Sequence, residues 1–447
     1  MTSRRNHGST ADISPPARLL WLRRDLRLFD HPALLAAADD DAEVLACFVL
    51  EPRLLATAGA RRRQFLHDSL TELRDRLDGR LLITRGRAQS RIPLLAKAIG
   101  AESVHITADY TPFGVRRDRA VREALGDIPL QETGSPYLVS PGRVTKPDGS
   151  AYQVFTPYHR RWREHGWRAP ARSDADSARW IDPAAVGEQN HDIPDPGVCL
   201  EIPAGELAAE QRWARFVEDH LGDYAEHRDR PDLDATSRMS AYLHFGNIHP
   251  RTLAADLTGS ASGPQAYLRE LAFRDFYAAV LAQWPRSAWW NFNPAFDAIE
   301  VDRDAAAERA FEAWREGRTG FPLVDAGMRQ LRQTGFMHNR VRMLTASFLV
   351  KDLHLPWQWG ARWFLDQLLD GDVASNQHGW QWAAGSGTDA SPYFRVFNPE
   401  TQRKKFDPTG EYVRRWVPEV DTADYPGPIV DHGEERREAL RRHGAIS

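Results

Sequence analysis

Two rhythms of hydrophobic and polar positions divide the chain. Between residues 18 and 135, short apolar runs alternate with amphipathic stretches. RLLWL (18–22), VLACFVL (44–50), LLIT (81–84) and VHIT (104–107) are short and apolar throughout, which predicts strands buried on both faces. Residues 33–38, 61–77, 92–99 and 115–125 space their apolar side chains as helices do. Strand–helix alternation predicts a parallel sheet with helices on both sides. Residues 136–212 lose the rhythm and fill with Pro, Gly, Asp and Ala, which predicts a long surface connector held by aromatic anchors in 136–162. From 213 to 447 the period is helical, and Val341, Leu344, Phe348 and Leu349 fall on one face. The expected organisation is a disordered 1–17, an α/β domain at 18–135, a connector at 136–212 and an all-helical domain at 213–447.

Composition narrows the class. A chain of 447 residues is long enough for two or three domains. Its net charge of −4 excludes a globally basic nucleic-acid binder but leaves room for a local basic face. The polar N-terminus lacks the apolar core of a signal peptide, and no apolar run reaches the ~18 residues of a membrane span, so a cytoplasmic protein is expected. Cys47 lies in an apolar run far from Cys199, the pattern of a buried thiol rather than a disulfide. No metal site is expected. The first strand runs into WLRRDLRLFDHPAL, not Gly-x-Gly-x-x-Gly, which argues against a nicotinamide oxidoreductase. Fifteen tryptophans, most of them after residue 160, suit core filling, but also stacking of flat ligands or movement of electrons.

Three late segments break the helical core pattern: MHNRVRM (337–343), LLDGDVASNQHGWQW (368–382) and SPYFRVFNP (391–399). They put Asn, Arg, Asp and Trp where a helix core wants Leu and Ile. Each unpaired buried polar group costs about 1–3 kcal/mol, so these segments are expected to enclose something polar, flat and aromatic. Thr236, Ser237, Arg238, Met239 and Ser240 place three hydroxyls and a guanidinium at a loop-to-helix junction. That set suits a pyrophosphate at a helix N-terminus, and equally an ordinary helix cap. A buried Arg342 needs an acid, and Asp370 is the candidate, as a structural bridge or as part of a site. Glu270 reads either as a solvated helix position or as a hydrogen-bonding group, which must be protonated to donate. Arg274, Arg340 and Arg395, with the run 403–405, can form a basic rim for phosphates; alone, that run suits a solvated face.

Seven motifs now stand in order: WLRRDLRLFDHPAL, DATSRMSAYLHFGNIHP (234–250), RELAFRDFY (269–277), TGFMHNRVRM (334–343), LLDGDVASNQHGWQW, PYFRVFNP (392–399) and FDPTGEYVRRWVPE (406–419). Together they resemble the DNA photolyase/cryptochrome family, most closely its class I cyclobutane pyrimidine dimer photolyases. The resemblance implies an α/β fold: an N-terminal Rossmann-like parallel-sheet antenna domain, a long connector and an all-helical FAD-binding domain. It implies light-dependent repair of cyclobutane dimers in UV-damaged DNA by electron transfer from reduced FAD, in a monomer. Around FAD it sets Tyr224, Thr236, Ser237, Arg238, Met239, Ser240, Arg342, Asp370, Gly371, Asp372 and Asn376. Asn376 matches the residue facing flavin N5, where plant cryptochromes carry Asp; an amide there favours the fully reduced cofactor.

The resemblance makes Glu270, Asn376, Met343, Trp382 and Phe273 catalytic. Phe273 departs from the family's usual Trp. On the DNA side it sets Arg228, Glu270, Arg274, Asn339, Arg340, Arg395 and Gln402. Trp380 and Trp357 match the first two members of the tryptophan chain that photoreduces the flavin. The third should fall near 302–305, where Asp302, Arg303, Asp304 and Ala305 stand instead. ITADYTPFGVRRD (106–118) matches the antenna-pocket segment but lacks the acid of the folate-binding members, so a deazaflavin, a methenyltetrahydrofolate or no antenna fits. Asn339, and Met343 where the (6-4) enzymes carry His, argue against that activity. The alternative is a cryptochrome-type blue-light photoreceptor, which usually carries a C-terminal extension.

Overall fold

The computed structural model describes residues 15–389 and 394–446. The disorder expected of residues 1–17 falls mostly outside them; residues 15–17 are described, and Ala17 already belongs to the first strand. Ser391, Pro392 and Tyr393 of the late motif also lie outside the described residues.

The four expected strands are present as β1 (Ala17–Leu22), β2 (Glu43–Leu50), β3 (Leu81–Arg85) and β4 (Ser103–Ile106). Two more join them, β5 (Leu130–Glu132) and β6 (Arg179–Trp180), each too short for a hydrophobic run to mark it. The sheet is parallel, in the order β3-β2-β1-β4-β5, with β6 beside the start of β2. Alternate residues of a strand feed two different cores. Leu20, Leu22, Val44 and Ala46 pack with Phe65, Leu70 and Leu73 of the helix Ala60–Arg76. Leu19, Trp21, Leu45 and Cys47 pack with Ile92, Leu95, Val121 and Leu125 on the opposite side. Both faces are covered, which is why the strands read as unbroken apolar runs. Cys47 is a buried free thiol and Cys199 an exposed one.

The connector is more structured than its composition suggests. It contains the helix Phe155–His165, which buries Phe155, Tyr158 and Trp162. Further along, β6 lines β2, His191 N donates to Ile83 O at 2.8 Å, and Ile83 N donates to Asn190 Oδ1 at 2.9 Å. The segment therefore covers the backbone groups of an edge strand. The helix Glu206–Asp219 runs across the expected boundary at 212.

The stretch after β1 joins the sheet domain to the helical one. Leu28 N and Phe29 N donate to Glu206 at 2.6 and 2.7 Å. Arg251 pairs with Asp30 at 2.6 Å, and Leu26 N donates to Phe245 O at 3.2 Å. The chains approach closest at Gly246, whose φ is +72° and where a Cβ would lie 2.0 Å from Arg24 O. Only glycine combines that backbone angle with that contact.

In the helical part, Val373–Ala384 packs against Ser262–Gln283, Asn339–Lys351 and Trp357–Gln367. Its crossing with Trp357–Gln367 is tight because Gly360 has no side chain; a Cβ there would sit 2.1 Å from the Trp380 ring. This central helix carries Asn376, Trp380 and Trp382.

Candidate active site

A crevice at the start of the short helix Ser240–Phe245 is lined by Arg238, Ser240, Thr334, Phe336, Leu369 and Asp370. It brings the hydroxyl-rich junction and the Arg342–Asp370 constellation to one place. Arg342 grips Asp370 with both terminal nitrogens, at 3.3 and 2.9 Å, and donates Nε to Met337 O at 2.7 Å. This pair holds the Asp370 carboxyl below its ordinary range against the opposing effect of burial. Arg238 has a left-handed backbone, at φ +55°. Its terminal nitrogens bond Glu201 and Asp234, and its guanidinium lies 4.6 Å from the Phe336 ring centre. Among the described residues its buried Nε has no hydrogen-bond partner, an orphan donor beside the crevice. Ser237 Oγ and Tyr267 OH share a hydrogen bond of 2.8 Å, and the Tyr267 ring packs on Tyr224. Met239 is buried, and Thr236 is half-buried next to it. Guanidinium, hydroxyl and aromatic groups with one unmet donor fit the anionic, aromatic group implied by the resemblance.

Two residues following the helix Tyr224–His227 build the next part. Arg228 Nη2 lies 2.8 Å from Glu270 Oε1, and Asp229 lies 2.7 Å from Arg340. Glu270 is 31 % exposed, yet its Oε1 is buried and lacks good hydrogen-bond geometry. Desolvation raises the Glu270 carboxyl above its usual range even with Arg228 beside it. Arg340 also faces the Phe406 ring and approaches Met343 Sδ at 3.7 Å; Asn339 Nδ2 approaches the same sulfur at 4.0 Å. Arg228, Glu270, Asn339, Arg340 and Met343 thus form one linked patch across three elements. Burial pushes the His338 imidazole of that patch down to about 4, so it is neutral near pH 7.

The loop Asp370–Asp372 feeds the central helix. A Cβ on Gly371 would lie 2.0 Å from Arg62 Nη1, the movable end of that side chain. Asp372 caps the helix, accepting from Ser375 N at 3.0 Å. Its other oxygen accepts from Arg24 Nη2 at 2.7 Å, and Arg24 comes from the loop after β1. Burial alone would raise this carboxyl; Arg24, with Arg274 behind it, holds it far below the usual range. Asn376 donates to Ala361 O at 3.1 Å and to Gln377 Oε1 at 2.7 Å. Trp382 packs on Phe397 at 6.4 Å. Phe273 stacks on Phe155 of the connector, centroids 3.5 Å apart and nearly parallel, with Arg269 over both rings.

Several expectations change. Arg274 does not belong to an open basic rim. It donates to Pro136 O at 2.7 Å and Leu243 O at 3.1 Å and lies on the Tyr137 ring. Arg395 is exposed, over Phe397, and Gln402 is half-buried on the helix Pro399–Phe406. Arg403 and Lys404 pair with Glu400, and Lys405 lies over the Phe406 ring, the solvated face that this run alone suited. Where a third tryptophan would stand, Asp302 pairs with Arg442 and Asp304 caps the helix Ala305–Glu316. Trp380 instead meets Trp314 at 6.0 Å and Phe364 at 5.0 Å, and Trp357 Nε1 donates to Asn291 Oδ1 at 2.9 Å. Sequence reasoning missed Arg24 and Phe155. Arg24 is adjacent to Asp25 in a motif read as part of the sheet domain, and Phe155 lies in a segment read as loop.

The comparisons with known proteins agree with this geometry. Residues 18–175 match the model described as DNA photolyase, and residues 267–424 the FAD binding domain of DNA photolyase. The deoxyribodipyrimidine photo-lyase of Thermus thermophilus is 41% identical over 431 residues, covering 95% of this chain and 97% of that protein. The same-named Escherichia coli protein is 36% identical over 491 residues, covering 96% and 98%. A bacterial class III photolyase structure from Agrobacterium tumefaciens superposes with a TM-score of 0.87 at 34% identity, covering 98% of this chain and 99% of that one. A Synechocystis cryptochrome structure gives 0.88 at 28% identity, covering 96% and 99%. The chain belongs to the DNA photolyase/cryptochrome family.

Proposed function

We propose that the chain repairs cyclobutane pyrimidine dimers in DNA under light, with FAD as its cofactor. Glu270 carries this reading: a carboxyl with raised proton affinity, beside Arg228 and within one patch with Asn339, Arg340 and Met343. A dimer pairs weakly with the opposite strand, so flipping it out of the duplex costs only a few kcal/mol. Arg340 and the exposed Arg395 meet the phosphates; Trp382, Met343 and Phe273 hold the flipped pair. A protonated Glu270 donates to a pyrimidine carbonyl and stabilises the charge arriving there. When bound and reduced, FAD would supply the photoexcited electron that opens the dimer, with no net redox change. The residues to hold it are Arg238, Ser237, Arg342, Asp370, Asp372 and Asn376.

Within the family, Asn376 favours a photolyase over a plant-type cryptochrome; the class I assignment is the finer part of the proposal and stands beside a class III structure matched at 34% identity over 98% of the chain. The neutral His338, with Asn339 and Met343 beside it, disfavours a (6-4) enzyme. An antenna chromophore, deazaflavin or folate, and a monomeric state complete the proposal. Replacement Glu270→Ala tests it: light-driven repair of a dimer-containing oligonucleotide falls while FAD stays bound. Repair equal to the wild type would remove Glu270 from the mechanism.

A further inference from the structure

Lys351 ends the helix Asn339–Lys351, whose first turns carry Asn339, Arg340, Arg342 and Met343. Its side chain is buried, 4 % exposed, a costly position for an ammonium. Nζ donates to Arg395 O at 2.6 Å and lies 4.4 Å from the centre of the Phe394 ring. The Phe394 ring also stacks on His443, 4.2 Å away, in the helix His432–Gly444. Gly385, the left-handed cap of the central helix, leaves room for that ring; a Cβ there would lie 3.3 Å from it. The neighbouring acid Asp352 is engaged by His432. Beyond this anchor the Arg395 guanidinium lies over Phe397, and Phe397 packs on Trp382.

We propose that Lys351 is a positioning residue for lesion recognition. By tethering the Arg395 carbonyl, it fixes Phe394–Phe397 against Trp382 and aims the exposed Arg395 at the nucleic acid. The proposal rests on the dimer-repair reading above. A lysine that merely fills the core could be exchanged for an apolar side chain without cost to recognition.

Lys351→Met keeps the stem and removes the ammonium. The full FAD-loaded chain is compared with the wild type for affinity toward dimer-containing and undamaged duplexes, and for repair yield at saturating substrate. The dimer affinity of the variant falls about ten-fold, equivalent to ~1.4 kcal/mol, while FAD content and saturated yield hold. Phe394→Leu, with Lys351 intact, moves affinity the same way and decides the matter if Lys351→Met does not fold. Wild-type dimer affinity in either folded variant, or loss of saturated yield in place of affinity, overturns the assignment. If the wild type itself shows no preference for the dimer, the repair reading fails instead. Hydrogen exchange at 394–398 then judges the tether alone: faster exchange in Lys351→Met supports it, and equal exchange overturns it.

Discussion

Arg24→Met probes the link between the two halves of the molecule. Arg24 donates to Asp372 at 2.7 Å and to His244 O at 3.1 Å, with side-chain exposures of 20% for Arg24 and 13% for Asp372. Removing one member of such a buried pair costs about 3–5 kcal/mol. Arg274 and the Ser375 N–H still face Asp372, so the lower end, ~3 kcal/mol, is expected. With an unfolding entropy of about 2.1 cal/mol/K per residue over 447 residues, that is a fall in Tm of about 3 °C. The effect has a pH signature. The folded Asp372 carboxyl titrates below its unfolded value, so its pairing stabilises fully above the unfolded value of about 3.9 and is lost as pH falls through the folded one. The gap between wild type and variant in urea melts is therefore constant from about pH 5 upward and narrows in acid. In a double-mutant cycle with Asp372→Asn, Arg24→Met costs much less than it does alone. Equal stability at pH 7, or a gap that persists undiminished into acid, would refute the pairing as the source.

Glu270 gives a second pH test. Its folded carboxyl is raised by burial, so repair declines as pH rises through that value; Glu270→Gln, which keeps a donor, flattens the profile. A profile unchanged by the substitution would deny the protonated role. Gly246→Ala forces a Cβ 2.0 Å from Arg24 O at a positive φ, and the unfolding free energy from urea melts drops by more than the ~1 kcal/mol of backbone strain alone. Trp357→Phe slows photoreduction of the bound flavin, while chemically reduced enzyme repairs at the wild-type rate; an unchanged photoreduction rate would put Trp357 off the route.

The sheet was legible because each buried strand is an uninterrupted apolar run, and Arg342–Asp370 because a buried guanidinium demands an acid. β5 and β6 were not, since pairs and triplets of residues carry no periodicity. The helix Phe155–His165 was obscured by the Pro and Gly around it, although its aromatic spacing at Phe155, Tyr158 and Trp162 was available. Arg24 escaped because its partner lies 348 positions away, a distance no local pattern reports. The inward turn of Arg274 escaped for the same reason: its carbonyl partners, Pro136 and Leu243, belong to other segments. Charged residues in a motif thus reveal that a site exists better than they reveal which way each one points.

The most direct measurement is recovery of base absorbance from UV-irradiated oligothymidylate, mixed with the reduced, FAD-loaded protein under blue light, with a dark control. Light-dependent recovery that is absent in the dark is the predicted result. No recovery from a protein that holds reduced FAD would contradict dimer repair and favour a blue-light photoreceptor.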